Sequence, residues 1–151
     1  MTNETVLKAK RGKRKTSMSP EGLEENLKKG TTELLVLYLL REREMYINEI
    51  TDLLLERSSD RLNITFPYAV VYRLLDAHYI ELGEKCIAPD GRRRQFYHTT
   101  PAGEAYLEQL LVVLDRFMGG VYEILGAENL PKVKRKRKPK AAAETEASKE
   151  D

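Results

Sequence analysis

Residues 80–107 read IELGEKCIAPDGRRRQFYHTTPAGEAYL, and this stretch decides the fold. Its first part, Ile80 to Ala88, is rich in strand-compatible residues and stops at Pro89-Asp90-Gly91, a turn tripeptide. Arg92 to Thr99 then supplies a second strand with paired aromatics, so the segment closes as a β-hairpin. Thr100-Pro101 ends the hairpin and opens a helix, because threonine caps orphan N–H groups and proline fits the first helical position.

Upstream of the hairpin the spacing predicts short helices. Ser19-Pro20 repeats the cap-plus-proline signal and starts a helix expected to end near Gly30. Thr31 or Thr32 is expected to cap a second helix, whose almost continuous apolar side is Leu34, Leu35, Leu37, Leu39 and Leu40. Asn48 is the expected N-cap of a third helix to about Arg57, with Ile50, Leu53 and Leu54 inward. After a polar connection over 58–63, a fourth helix is predicted from near Phe66-Pro67 to about Ala77, with Val71, Leu74 and Leu75 inward.

Downstream, the helix opened at Pro101 should run to about Leu125. Its residues Leu107, Leu110, Leu114, Phe117, Val121 and Ile124 are spaced 3, 4, 3, 4, 3, an a/d seam of nearly three heptads. Leu111, Met118, Tyr122 and Leu125 widen the stripe beyond what a small domain can cover alone. Packing back on the same domain is the alternative, but the breadth favours a second subunit and hence a homodimer. Gly119-Gly120 either kinks this helix or lets a neighbouring helix approach closely.

Short helices, a hairpin and a long helix give a mainly α (α+β) class. The order is that of a winged helix-turn-helix domain with a β-hairpin wing and a long C-terminal dimerisation helix. The expected organisation is a disordered basic tail over 1–19, the DNA-binding domain over 20–100, the dimerisation helix over 101–126 and a second disordered tail over 127–151.

Charge agrees with that division. The chain has 151 residues and a net charge of only +2, yet 1–19 holds six bases against one acid and 132–151 eight against four, leaving 20–131 at −7. An acidic body with basic ends points to a polyanionic partner, with solubility as the plainer reading of the tails. No run of about 18 uncharged apolar residues exists, so no membrane partner is expected. The basic first residues lack a signal-peptide core, and one cysteine, Cys86, gives no internal disulfide framework. The expectation is a cytoplasmic protein, nucleoid-associated when bound to DNA.

Several pieces resemble the PadR-like family of transcriptional regulators. Tyr46-Ile47-Asn48-Glu49-Ile50 stands where that family shows Tyr-Gly-Tyr-Glu-Ile. Tyr68-Ala69-Val70-Val71-Tyr72-Arg73-Leu74 stands where it shows Tyr-Pro-Ala-Leu, a variable residue, then Arg-Leu. The arginine-rich run from Gly91 to Thr100, followed by Gly103 and Leu107, is similar to the family's wing and the exit from it. His78 replaces the glycine that ends the family's recognition helix, a position expected to need a left-handed backbone.

In a helix-turn-helix the second helix presents its first turns to the major groove. With Val71, Leu74 and Leu75 inward, Thr65, Tyr68, Ala69, Tyr72 and Arg73 are the candidate contacts, unless a tyrosine packs in the core. Arg92, Arg93 and Arg94, with Lys85 from the partner strand, form the candidate wing contacts, or else a solvated turn. Strand alternation places Arg92 and Arg94 on one face. The resemblance implies a small aromatic or drug-like effector near the dimer interface, for which Tyr106, Met118 and Tyr122 are the candidate lining beside Phe117, with a plain hydrophobic interface as the equal alternative.

Enzyme motifs are lacking: there is no Gly-rich phosphate loop, His-x-x-x-His pair or Cys-x-x-Cys pair. Cys86, His78 and His98 are the one conceivable metal-ligand set, but each has an ordinary structural reading, so neither cofactor nor metal is expected. The sequence therefore predicts a homodimeric repressor of a roughly palindromic site on double-stranded DNA. A tail-driven nucleic-acid packaging protein and a winged-helix protein-interaction scaffold are its rivals.

Overall fold

The computed structural model describes residues 18–64 and 67–132. Its elements in chain order are α1 (Pro20–Glu42), α2 (Ile47–Arg57), α3 (Tyr68–Asp76), β1 (Ile80–Ile87), β2 (Arg93–Thr99) and α4 (Pro101–Leu125). A short 3-10 turn, Ala127–Asn129, follows. The winged-helix order read from the sequence is therefore the order observed. The tail segments 1–17 and 133–151, expected to be disordered, lie outside the described residues.

The first two predicted helices are one. Ser19 caps α1 as expected, its side chain accepting the Gly22 N–H at 3.0 Å. The helix then passes through Gly30 without a break. Thr31 and Thr32 do not cap a new helix; their hydroxyls donate to the carbonyls of Leu27 and Lys28, four residues back, at 2.6 Å each. That bond leaves the backbone helical. The single-glycine penalty of ~1 kcal/mol is small beside the burial of the leucine run that follows. Val36 and Leu37 are fully buried, and Leu34, Leu39 and Leu40 nearly so, because α1 packs against α2, α3, α4 and β2.

Asn48 is not the cap of α2. The helix starts at Ile47 with Tyr46 in the cap position and no side-chain cap. A tertiary contact sets this boundary: Met45 and Tyr97 exchange both backbone hydrogen bonds, at 3.2 and 2.9 Å. Tyr46 is thereby held extended, and the helix begins directly after it. The turn from α2 toward α3 uses left-handed Ser59 and Asp60, tied by the Leu62 N–H to the Ser58 hydroxyl at 2.9 Å.

α3 ends as the sequence implies. His78 has φ +60°, with its N–H on the Leu75 carbonyl and that of Tyr79 on the Leu74 carbonyl. The His78 side chain is exposed, so glycine would lose little there and would relieve the left-handed strain. His78→Gly is expected to raise stability by ~1 kcal/mol, and His78→Val to lower it by about 2, as read from urea midpoints.

β1 and β2 pair antiparallel from Ile80↔Thr99 to Ile87↔Arg93, with a register shift between Leu82 and Lys85. Gly91, at φ +80°, makes the tip. Thr100 joins wing to helix: its hydroxyl donates to the His78 carbonyl at 2.7 Å and accepts the Gly103 N–H at 3.1 Å. α4 continues without interruption past Gly119-Gly120 and stops at Gly126, φ +75°. The core is closed by Met45, Ile50, Val71, Leu74, Ile80 and Leu107. Leu107, placed in the intersubunit seam by its heptad spacing, is buried in the domain's own core instead.

Candidate nucleic-acid interface

α3 buries Val71 and Leu74 and turns Tyr68, Ala69, Tyr72 and Arg73 outward. Tyr72 is 55% exposed and Tyr68 40%, so neither tyrosine is a core residue. Thr65 lies outside the described residues. Arg73 is exposed and, with Ala69, also borders a cleft shared with Lys28 and Thr32 of α1.

The wing is less uniform than three consecutive arginines imply. Arg92, Arg93 and Lys85 are exposed, and none of them forms an ion pair among the described residues. Arg94 is tethered, its Nη2 and Nε donating to Asp90 Oδ2 at 2.8 and 3.2 Å. Asp90 also accepts the Arg92 N–H at 3.0 Å. The Arg94 guanidinium, followed by that N–H, holds the Asp90 carboxyl below the usual carboxylate range, and the same pairing pushes Arg94 up.

Arg94 also lies 5.8 Å from the centre of the Tyr46 ring, which meets Phe96 edge-on at 5.4 Å. Arg94, Phe96 and His98 alternate along β2 on this side, while Tyr97 enters the core. Together Tyr46, Asn48, Tyr68, Arg94 and Gln95 line a small cleft of about 120 Å³ that links the wing to the start of α3. Arg92 and Arg94, expected to share a strand face, therefore differ: the Arg94 guanidinium is tethered to Asp90, whereas that of Arg92 forms no ion pair among the described residues. The sequence reading missed Asp90 and Tyr46; an acid four residues before an arginine across a turn was the available signal.

The one conceivable ligand set, Cys86, His78 and His98, does not come together as a metal site among the described residues. Cys86 and His78 are exposed, and His98 sits between two carboxylates, its Nδ1 3.3 Å from Glu44 and its Nε2 3.3 Å from Glu81. Those carboxylates lie on different ring nitrogens, and no group of three ligating side chains occurs among the described residues.

A second feature is an apolar groove of about 500 Å³ between α1 and α4, lined by Leu27, Leu34, Tyr106, Leu114, Phe117 and Met118. Tyr106 stacks on Tyr79 at 4.3 Å. Its hydrogen bond to Glu33 is the main cause pushing the phenol up to about 12, with burial next. Because the folded value exceeds the ordinary 10, the neutral phenol stabilises the fold fully below pH 10. That contribution is expected to be lost between about pH 10 and 12, and Tyr106→Phe should lack this segment of the stability–pH curve. Absorbance titration of the phenols checks it directly.

Leu110 and Leu114 are half-buried against α1, whereas Phe117 is 64% and Ile124 87% exposed, with Val121 intermediate. Tyr122 lies beyond the groove and is exposed. No described helix is long and apolar enough to cross a membrane.

Comparison with known proteins agrees with this architecture. No curated protein matches the chain significantly. Among solved structures, a PadR family transcriptional regulator from Eggerthella lenta is 26% identical, with a TM-score of 0.57 over 70% of this chain and 87% of that one. A transcriptional regulator from Clostridium thermocellum is 24% identical, at TM-score 0.58 over 66% and 98%. A PadR-like transcriptional regulator from Bacillus cereus is 23% identical, at 0.57 over 67% and 97%. At the last two identities the likeness shows the fold. Residues 36–109 match the family model of the transcriptional regulator PadR-like family. That span runs from the buried leucines of α1 through α2, α3 and the wing into α4, so residues 36–109 form a winged-helix domain that matches the PadR-like transcriptional regulators, a family of regulators and not of enzymes.

Proposed function

We propose that the protein is a homodimeric repressor that binds a roughly palindromic operator. α3 enters the major groove with Tyr68, Ala69 and Tyr72, while Arg92, Arg93 and Lys85 of the wing hold phosphates. The observation that carries this reading is the outward tyrosine face of α3 beside exposed wing cations, on a body that otherwise repels DNA. Two-fold symmetry then places half-sites about one DNA turn apart.

Dimerisation is supported by the apolar surface that α4 leaves uncovered, above all Phe117, Ile124 and Leu125, of which Phe117 shares the groove with Leu27 of α1. A small aromatic effector suits the groove beside Tyr106 and Met118, with Tyr122 at its margin. The basic tails add phosphate contacts, and the protein works in the cytoplasm on the nucleoid. Sedimentation equilibrium of the full chain against Phe117→Asp with Ile124→Asp tests the dimer. A dimer that becomes a folded monomer, with operator affinity lost alongside, is the expected result; a wild-type monomer that binds the operator sinks the dimeric reading.

A further inference from the structure

α3 has two flanks, and only one faces the wing. At 100° per residue, Tyr68 leans toward the cleft shared with Arg94, whereas Ala69, Val70 and Arg73 lie on the side nearer α1. On that second side a cleft of about 520 Å³ opens between α3 and the N-terminal half of α1, floored by Asn63, Ile64 and Pro67. Three of its lining groups are cationic: Lys28, Lys29 and Arg73. Glu25 shares the wall, and Lys28 pairs with Glu24 at 3.3 Å and Glu25 at 3.7 Å. Those two carboxylates fix one lysine. Lys29 and Arg73 form no ion pair among the described residues, which leaves the cleft net positive on a body that carries −7. The Thr32 hydroxyl and Asn63 add polar walls.

We infer that this cleft is a phosphate-binding slot in which Lys28 and Lys29 of α1 and Arg73 of α3 hold a phosphate group. Its position favours the DNA backbone as the source: a strand bordering the major groove occupied by α3 has the wing on one side and this cleft on the other. α1 thereby becomes part of the DNA-binding surface, and α3 is bracketed by phosphate contacts that fix its register. A free phosphorylated small molecule offers the same chemistry. The inference rests on the DNA-binding reading above.

The test compares the full chain with Lys28→Ala/Lys29→Ala and with Lys28→Arg/Lys29→Arg, all on duplex from upstream of its own gene, between 50 and 200 mM salt. Alanine and arginine are both good helix formers at these α1 positions, so folding is preserved. The alanine pair should flatten the slope of log affinity against log salt by about 1, at ~0.9 per phosphate contact, and the arginine pair should restore it. A second arm titrates inorganic phosphate without DNA at matched ionic strength and follows the amide resonances of Thr32, Asn63 and Val70.

A flattened slope supports the slot with DNA as the source. Phosphate-specific shifts lost in the alanine pair, at unchanged slope, support the slot with a free phosphate as the source. An unchanged slope together with no phosphate-specific shifts, while wild type still binds duplex, overturns it. If wild type binds no duplex, the DNA-binding reading has failed and the phosphate arm alone decides the slot.

Discussion

Gly103→Ala is expected to destabilise the domain by about 3 kcal/mol, the upper part of the range for overpacking a tight interior. A Cβ on Gly103 would fall 1.9 Å from the Tyr79 carbonyl oxygen and 2.9 Å from the Thr99 Cγ2. The carbonyl cannot simply retreat, because it accepts the Thr100 N–H at 3.0 Å, and Thr100 in turn caps α4 and holds the His78 carbonyl. Relief therefore means moving the whole start of α4 away from the end of α3. For a domain of this size the expected loss in Tm is roughly 10–20 °C. Gly119→Ala is the contrast: nothing lies within 4 Å of its added methyl, and the helix should gain ~1 kcal/mol. Thermal melts of the two variants side by side decide whether close approach, rather than helix propensity, explains Gly103.

The second large effect belongs to the wing. Arg92→Ala with Arg93→Ala is expected to flatten the salt slope by about 2 and to weaken DNA binding roughly 10- to 100-fold near 0.1 M salt, across all sequences alike. Arg94→Ala should cost less of the slope, since Asp90 already neutralises that guanidinium in the free protein. Asp90→Asn should act oppositely, releasing Arg94 and steepening the salt dependence. Fluorescence anisotropy over 50–200 mM salt separates these variants. Equal losses for Arg93 and Arg94 would mean that DNA breaks the Asp90 pair on binding.

How much of this was legible in the sequence depends on the range of the interaction. Ser19-Pro20, Thr100-Pro101 and Pro89-Asp90-Gly91 carry local chemistry, and helix starts and turn fall there. His78 is similar, because only the backbone decides its conformation. Gly30-Thr31-Thr32 resembles a stop followed by a cap, yet the packing of the leucines beyond it overrides the local preference. The start of α2 was not legible because Tyr97, more than fifty residues away, pins Met45.

The same contrast runs through the candidate site. Exposed Tyr68 and Tyr72 follow from helical spacing around Val71 and Leu74. The division of the arginines does not: it depends on Asp90 reaching Arg94 over the turn and on Tyr46 lying beneath it. Periodicity likewise assigned Leu107 and Ile124 to one seam. The structure separates them: Leu107 is fully buried in the domain's own core, whereas Ile124 is 87% exposed.

The central claim is that the winged helix, rather than the basic tails, recognises DNA. Competition binding tests it most directly, with the full chain and residues 20–131 on duplex from upstream of its own gene, in excess unrelated DNA and at two salt concentrations. Residues 20–131 are expected to keep the preference for the upstream duplex, with lower affinity and a shallower salt slope than the full chain. Loss of all preference with the tails removed would contradict it and assign binding to the tails alone.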